Sequence, residues 1–145
     1  MSSTSKHPKG LLFLAFTEFW ERFGYYLMIG IFFLYMTDTD TGGFGWESGK
    51  ASDVFGTFIA CVYLTPFIGG LLADMKLGYR VAITIGGVLM GIGYCLLSIH
   101  EEWAFYTALC IMIVGNGFFK PNITTILGNL YNDPKYKANT DTGYN

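Results

Sequence analysis

The chain has 145 residues, of which 52% are hydrophobic and only 14% charged, whereas a soluble domain carries about a quarter charged residues. Lipid is therefore the expected solvent, and a net charge of -2 spread thinly along the chain excludes neither sign strongly but points away from nucleic acid as a partner. Three cysteines, Cys61, Cys95 and Cys110, fall inside apolar runs with no disulfide or metal-ligand spacing and are expected as small buried hydrophobes.

In chain order, residues 1–10 form a polar N-terminus with Lys6 and Lys9, followed by apolar runs at about 11–36, 54–73, 81–99 and 104–131. Each run is close to or above the roughly 20 residues that a helix needs to cross a hydrocarbon core. The expected fold class is an all-α membrane protein with four transmembrane helices. Strict alternation of apolar and polar residues is missing, which argues against a β-barrel. Polar stripes at helical spacing along the whole of each run are missing too, which argues against a soluble bundle. The first run is too long and too charged to be a cleavable signal peptide.

Loop charges predict the orientation. Lys6 and Lys9, then Lys76 and Arg80 in the 74–80 turn, then Lys135 and Lys137 in the 132–145 tail mark one side. The other connections hold Asp38, Asp40, Glu47, Lys50 and Asp53, then Glu101 and Glu102. Excess Lys and Arg marks the cytoplasmic face, so both chain ends and the 74–80 turn are expected there. The stretch "TGGFGWESGK" (41–50) reads as a polar external loop.

The first helix carries "TEFWERFGYY" (17–26), with Glu18, Glu21 and Arg22 at i, i+3, i+4 spacing and Tyr25 continuing that face. Counting a rise of about 1.5 Å per residue from Lys9 puts Glu21 about 18 Å deep, near the midplane. The same count puts Lys120 of the fourth helix and Tyr63 of the second about 16 Å from the cytoplasmic end. The formal charges of Glu18, Glu21, Arg22 and Lys120 cancel, which suits one shared, water-accessible cavity. Ionisable groups at this depth face a bundle interior and mark substrate or proton paths. A purely structural ion-pair cluster is the bland alternative, but buried pairs stabilise poorly. An embedded enzyme site is weaker still: His7 and His100 lie at membrane boundaries, and no Glu-x-x-His or nucleophile–base pair occurs. No cofactor is expected.

The fourth helix holds "GNGFFKPNI" (115–123), where Pro121 beside Lys120 predicts a kink or hinge at the site. Pro66 bends the second helix in the same way. Gly87 and Gly91 form a G-x-x-x-G on the third helix and are expected to permit close helix packing. The acceptor pattern Asn122-Ile123-Thr124 lies too deep in the membrane for glycosylation.

These motifs resemble one family. "EFWERFGYY" (18–26) is similar to the E-x-x-E-R-F-x-Y-Y motif of the proton-coupled oligopeptide transporters, a branch of the major facilitator superfamily. "GGLLADMKLGYRVAITIGGVLMGIG" (69–93) resembles that family's helix 2–3 signature and "GNGFFKPNI" its helix 4 motif. The resemblance implies symport of protons with di- or tripeptides by alternating access. It implies proton coupling at Glu18 and Glu21 through salt bridges exchanged with Arg22 and Lys120. It also implies a peptide site at Arg22, Tyr25, Tyr26, Tyr63 and Lys120, and a gating turn at Asp74 and Arg80. Small peptides, protons, the bilayer and a second helical bundle are the implied partners, and a bacterial inner (plasma) membrane the implied location.

Two positions depart from the family pattern. Lys76 stands where a large apolar residue is usual, and Ile29 stands where many peptide-transporting members have arginine. The second departure keeps open another small solute of the same family, such as nitrate or an amino-acid derivative. Family members have about twelve helices or more, and this sequence stops about where a fifth would begin. The expectation is an N-terminal part of a transporter, with a non-transporting membrane scaffold as the rival.

Overall fold

A computed structural model describes residues 7, 8, 10–132, 134 and 136. The expected cytoplasmic lysines Lys6, Lys9, Lys135 and Lys137, and most of the 132–145 tail, lie outside the described residues.

Four α-helices follow one another: α1 (Gly10–Thr37), α2 (Ser48–Leu72), α3 (Tyr79–Leu96) and α4 (Glu102–Leu130), with a π-helical turn over Ala73–Leu77 extending α2. Among the described residues there is no strand. Helix α2 with its extension, α3 and α4 are long and apolar enough to cross a membrane. Helix α1 has 28 residues, about 42 Å of rise, but Glu18, Glu21 and Arg22 lower its hydropathy. The protein is an integral membrane protein. Helix α2 begins six residues before the apolar run at 54, because backbone hydrogen bonding continues past the apolar slab into the 41–50 stretch.

That stretch folds back on α1. The amides of Phe44 and Trp46 donate to the carbonyls of Tyr35 and Met36 at 3.0 and 2.8 Å, and Gly45 donates to Asp38 at 3.0 Å. They satisfy carbonyls that the helix end leaves without partners. The Asp38 carboxylate accepts the Thr41 amide at 2.7 Å and its hydroxyl at 2.5 Å, which holds this carboxyl below its ordinary range. The loop is thus less polar than its composition: Trp46 is buried against Phe105 and Tyr106.

Directions alternate along the chain. His7 Nδ1 and the Tyr131 hydroxyl are 2.8 Å apart, so the start of α1 and the end of α4 meet at one end of the bundle. The turn between α2 and α3 lies at that end too, sharing a cleft with Ile126, Asn129 and Leu130 of α4. Gly78 makes this turn with φ 75°, a conformation only glycine adopts without strain.

Helix α4 is the spine, packed along α3 and α2, while α1 touches α2 and α4 lightly. Backbones approach so closely that a Cβ on Gly69 would lie 2.1 Å from the Gly117 carbonyl oxygen, and one on Gly86 2.7 Å from that of Gly115. Close approach of this kind replaces the hydrophobic drive that lipid cannot supply. It corrects the expectation for helix 3. Gly86 carries the contact, whereas Gly91 meets nothing within 4 Å and Gly87 only the Phe119 ring. One residue along a helix is a turn of about 100°, and a repeating pattern does not say which way it faces. The cysteines need the same correction: Cys95 and Cys110 are exposed and Cys61 is intermediate. An apolar run announces lipid or protein as its surroundings, not which side chain meets which.

The apolar core gathers toward the end holding the 41–50 stretch, around Met28, Phe32, Phe58, Phe105 and Met112. Phe32 contacts Phe58 and Phe105 with ring centroids 5.4 and 5.5 Å apart. Below it, α1 turns polar.

Candidate functional site

The polar patch begins with adjacent residues. Arg22 donates to Glu21 through Nε and through Nη2, the latter at 2.5 Å, a two-pronged pair. The two side chains differ in access: Glu21 is 7% exposed and Arg22 23%. The carboxylate therefore faces inward and the guanidinium outward. Tyr25, buried, carries the Arg22 guanidinium over its ring at 5.1 Å from the centroid, and its own ring meets that of Tyr26 at 5.6 Å.

Across the patch, the Lys120 ammonium lies 5.3 Å from the centre of the Tyr63 ring. Helices α2 and α4 thus bring these residues to one height. Among the described residues Lys120 forms no ion pair, and neither does Glu18, which is exposed. Tyr26 and Tyr63 are 65% and 70% exposed, so the patch opens on an uncovered face. Its floor holds two cations, one of them bound to Glu21 and the other resting only on an aromatic face.

Helix α4 passes through Pro121 without interruption. Proline has no N–H to offer the Gly117 carbonyl one turn back, and that same carbonyl faces Gly69 of α2. Asp74 lies in the π-helical turn that extends α2 and Arg80 in the first turn of α3, and they form no ion pair with each other among the described residues. Ile29 is half-buried and packs against the apolar core, so no cation stands at that position.

Two residues outside the sequence-based set complete the inner wall. Asn116 is 1% exposed and points its Nδ2 at Glu21 Oε1, 3.5 Å away, while its Oδ1 has no partner among the described residues. The buried Tyr94 hydroxyl has no partner either, and it rests 3.4 Å from where a Cβ on Gly24 would stand. Asn116 lies four residues before Lys120, the spacing that shares a helix face, and this signal was readable in "GNGFFKPNI". Tyr94 sits in an apolar run that carries no such signal.

Comparisons with known proteins agree with this architecture. The chain is similar to the uncharacterized transporter YclF of Bacillus subtilis (strain 168), with 39% identity over 140 residues, 95% of this chain and 28% of that protein. It is similar to the same extent to the di-/tripeptide transporter of Lactococcus lactis subsp. lactis (strain IL1403), with 39% identity over 142 residues. Among solved structures, that of the peptide transporter POT in complex with sulfate superposes with a TM-score of 0.90 at 37% identity, covering 95% of this chain and 28% of the other. The chain spans 28% of the length of these relatives. A sequence profile described as Major Facilitator Superfamily matches residues 11–138, and the chain belongs to that family of transporters.

Proposed function

We propose that this chain supplies the N-terminal helices of a proton-coupled di- or tripeptide transporter, in which Glu21 takes the coupled proton and Arg22 with Lys120 takes the peptide carboxylate. The observation that carries this reading is the Glu21–Arg22 pair standing on the same open face as the Lys120 ammonium, which has no ion pair among the described residues. Similarity to a transporter named for di- and tripeptides supports the substrate class.

While Glu21 is ionised, Arg22 is neutralised and holds a carboxylate of the protein. Protonation of Glu21 removes that charge, and a buried neutral carboxyl no longer competes for the guanidinium. Arg22 then joins Lys120 in binding the carboxylate of the substrate, while Tyr25, Tyr26 and Tyr63 offer aromatic faces and hydroxyls around it. Proton and peptide favour the same state of the carrier, which is the thermodynamic content of coupling. Glu18, exposed one turn earlier, adds negative charge at the mouth. Asp74 and Arg80 bias the gate from the turn between α2 and α3, and Pro121 gives α4 a point of bending. In this reading the 74–80 turn and the N-terminus face the cytoplasm of a bacterial cell, and a second bundle closes the cavity.

Ile29 favours a second reading in which the substrate is another small carboxylate or oxyanion, because the apolar packing of that residue leaves the patch one cation short of the family pattern. The test is uptake into proteoliposomes by the full-length protein carrying this sequence. Labelled dipeptides, single amino-acid derivatives and nitrate are compared under an imposed inward proton gradient. The first reading expects dipeptide accumulation that Arg22→Ala and Lys120→Ala shift to at least about tenfold higher dipeptide concentration. Accumulation of nitrate or an amino-acid derivative without dipeptide would replace it by the second.

A further inference from the structure

The inner wall behind Glu21 holds polar atoms that no contact accounts for. Among the described residues, Asn116 Oδ1 and the Tyr94 hydroxyl are buried without hydrogen-bond partners. Burial without a partner is costly for such a group, and groups of this kind call for an explanation. Both come from helices facing α1, α4 for Asn116 and α3 for Tyr94. Asn116 already touches Glu21, but weakly: its Nδ2 is 3.5 Å from Oε1, against 2.5 Å for the Arg22 donor on the same oxygen.

The asymmetry has a chemical reading. An ionised carboxylate only accepts hydrogen bonds, and Glu21 in that form is held by Arg22. A protonated carboxyl is also a donor and needs an acceptor, which Arg22 can never be. An amide oxygen without a donor is such an acceptor. We infer that Asn116 is the positioning residue for the protonated form of Glu21: once the Arg22 pair breaks, the Asn116 amide turns over so that Oδ1 takes the place of Nδ2 and accepts the hydrogen bond of the carboxyl O–H, with the Tyr94 hydroxyl as the second partner on that wall. This deepens the reading of Glu21 as the coupled acid and rests on it. The transfer is only a change of hydrogen-bond partners, the proton itself coming from water through the cavity.

Other groups bearing on Glu21 come from each packed helix. They are Glu18, Arg22 and Tyr25 on α1, Tyr63 on α2, Tyr94 on α3 and Lys120 on α4. Of these, Arg22 and Lys120 favour the ionised form and Glu18 the protonated one. Among these, Glu18 is exposed, and Arg22 and Lys120 carry no acceptor.

The test is an infrared pH titration of the full-length protein in lipid. The absorption of the protonated Glu21 carboxyl is identified by its loss in Glu21→Gln, and its midpoint is followed in Asn116→Ala and Tyr94→Phe. The expected result is a midpoint lower by about one pH unit, an about tenfold loss of proton affinity, in Asn116→Ala. A smaller shift in the same direction is expected in Tyr94→Phe, an isosteric change that removes only the hydroxyl and keeps the test alive should Asn116→Ala fold poorly. Midpoints equal to or above the parent's in the folded variants would overturn the inference and leave Glu21 as the proton site. A spectrum that Glu21→Gln does not change would instead overturn the reading on which it rests.

Discussion

The Lys120 ammonium stands 5.3 Å from the centroid of the Tyr63 ring and, among the described residues, has no carboxylate partner. A cation at this depth facing an aromatic plane is held in place without being neutralised, because a ring attracts charge through its quadrupole and leaves the hydrogen-bond donors open. A substrate carboxylate therefore meets Lys120 without first displacing an acid of the protein. Replacing Lys120 by Ala removes a charge-assisted hydrogen bond worth about 1.5–3 kcal/mol. The peptide concentration for half-maximal uptake should rise by at least about tenfold. Tyr63→Ala should raise it less, since cation–ring attraction is worth about 0.5–2 kcal/mol.

At the opposite end of the bundle, the Trp46 indole donates to Glu102 Oε1 at 2.7 Å, and Lys50 reaches the same oxygen at 3.2 Å while covering the indole ring at 3.7 Å. This clasp ties the 41–50 stretch to α4. Trp46→Phe keeps most of the packing and loses the indole hydrogen bond, about 1 kcal/mol. Trp46→Ala also opens a cavity, about 3–5 kcal/mol. Thermal unfolding in detergent should rank the parent above Trp46→Phe and that above Trp46→Ala, with Glu102→Gln close to the parent because an acceptor oxygen remains.

The Asp38 turn gives a pH dependence of known sign. The Thr41 hydroxyl, then the Thr41 amide, hold the Asp38 carboxyl below its ordinary range. Its folded-state pKa is depressed, so its contribution to stability is complete above the unfolded value, about 3.9, and is lost as pH falls through the folded value. Hydrogen exchange at the Thr41 amide should accelerate on acidification only below that unfolded value. Asp38→Asn should lack this acid-dependent step. Thr41→Val, which removes the first cause, should move the step to higher pH.

Glycine substitutions separate two kinds of helix face. Gly69→Ala forces a Cβ against the Gly117 carbonyl and should separate α2 from α4, seen as loss of folded, monodisperse protein. Gly91→Ala meets nothing within 4 Å and should be neutral or stabilising by up to about 1 kcal/mol from helix propensity alone. Equal damage from both would contradict the packing described for α2, α3 and α4.

Much of this was legible in the sequence, for identifiable reasons. Apolar runs report helices because lipid requires every backbone group to bond within its own segment. Charges report depth because they are costly there, which is why Glu18, Glu21, Arg22 and Lys120 stood out. Counting rise along each helix put Lys120 and Tyr63 level, and the structure places one against the other. Azimuth was not legible. Cys95 and Cys110 face outward, Gly86 rather than Gly87 carries the close approach, and Lys120 has no ion pair with the glutamates. Side-chain direction about an all-apolar helix depends on neighbours that a single run does not specify. Asn116 escaped notice because its neighbours Lys120 and Pro121 carried the louder signals. Tyr94 escaped because one tyrosine in an apolar run looks like core.

The central claim is that the proton acts through Glu21. Its most direct measurement is dipeptide uptake into proteoliposomes of the full-length protein, with and without an inward proton gradient, for the parent and for Glu21→Gln. Glutamine has the shape of the protonated acid and cannot release a proton. The account predicts that the gradient, worth about 1.4 kcal/mol of driving force per pH unit, accelerates uptake by the parent and leaves Glu21→Gln unaccelerated. An equal acceleration of both proteins would contradict it.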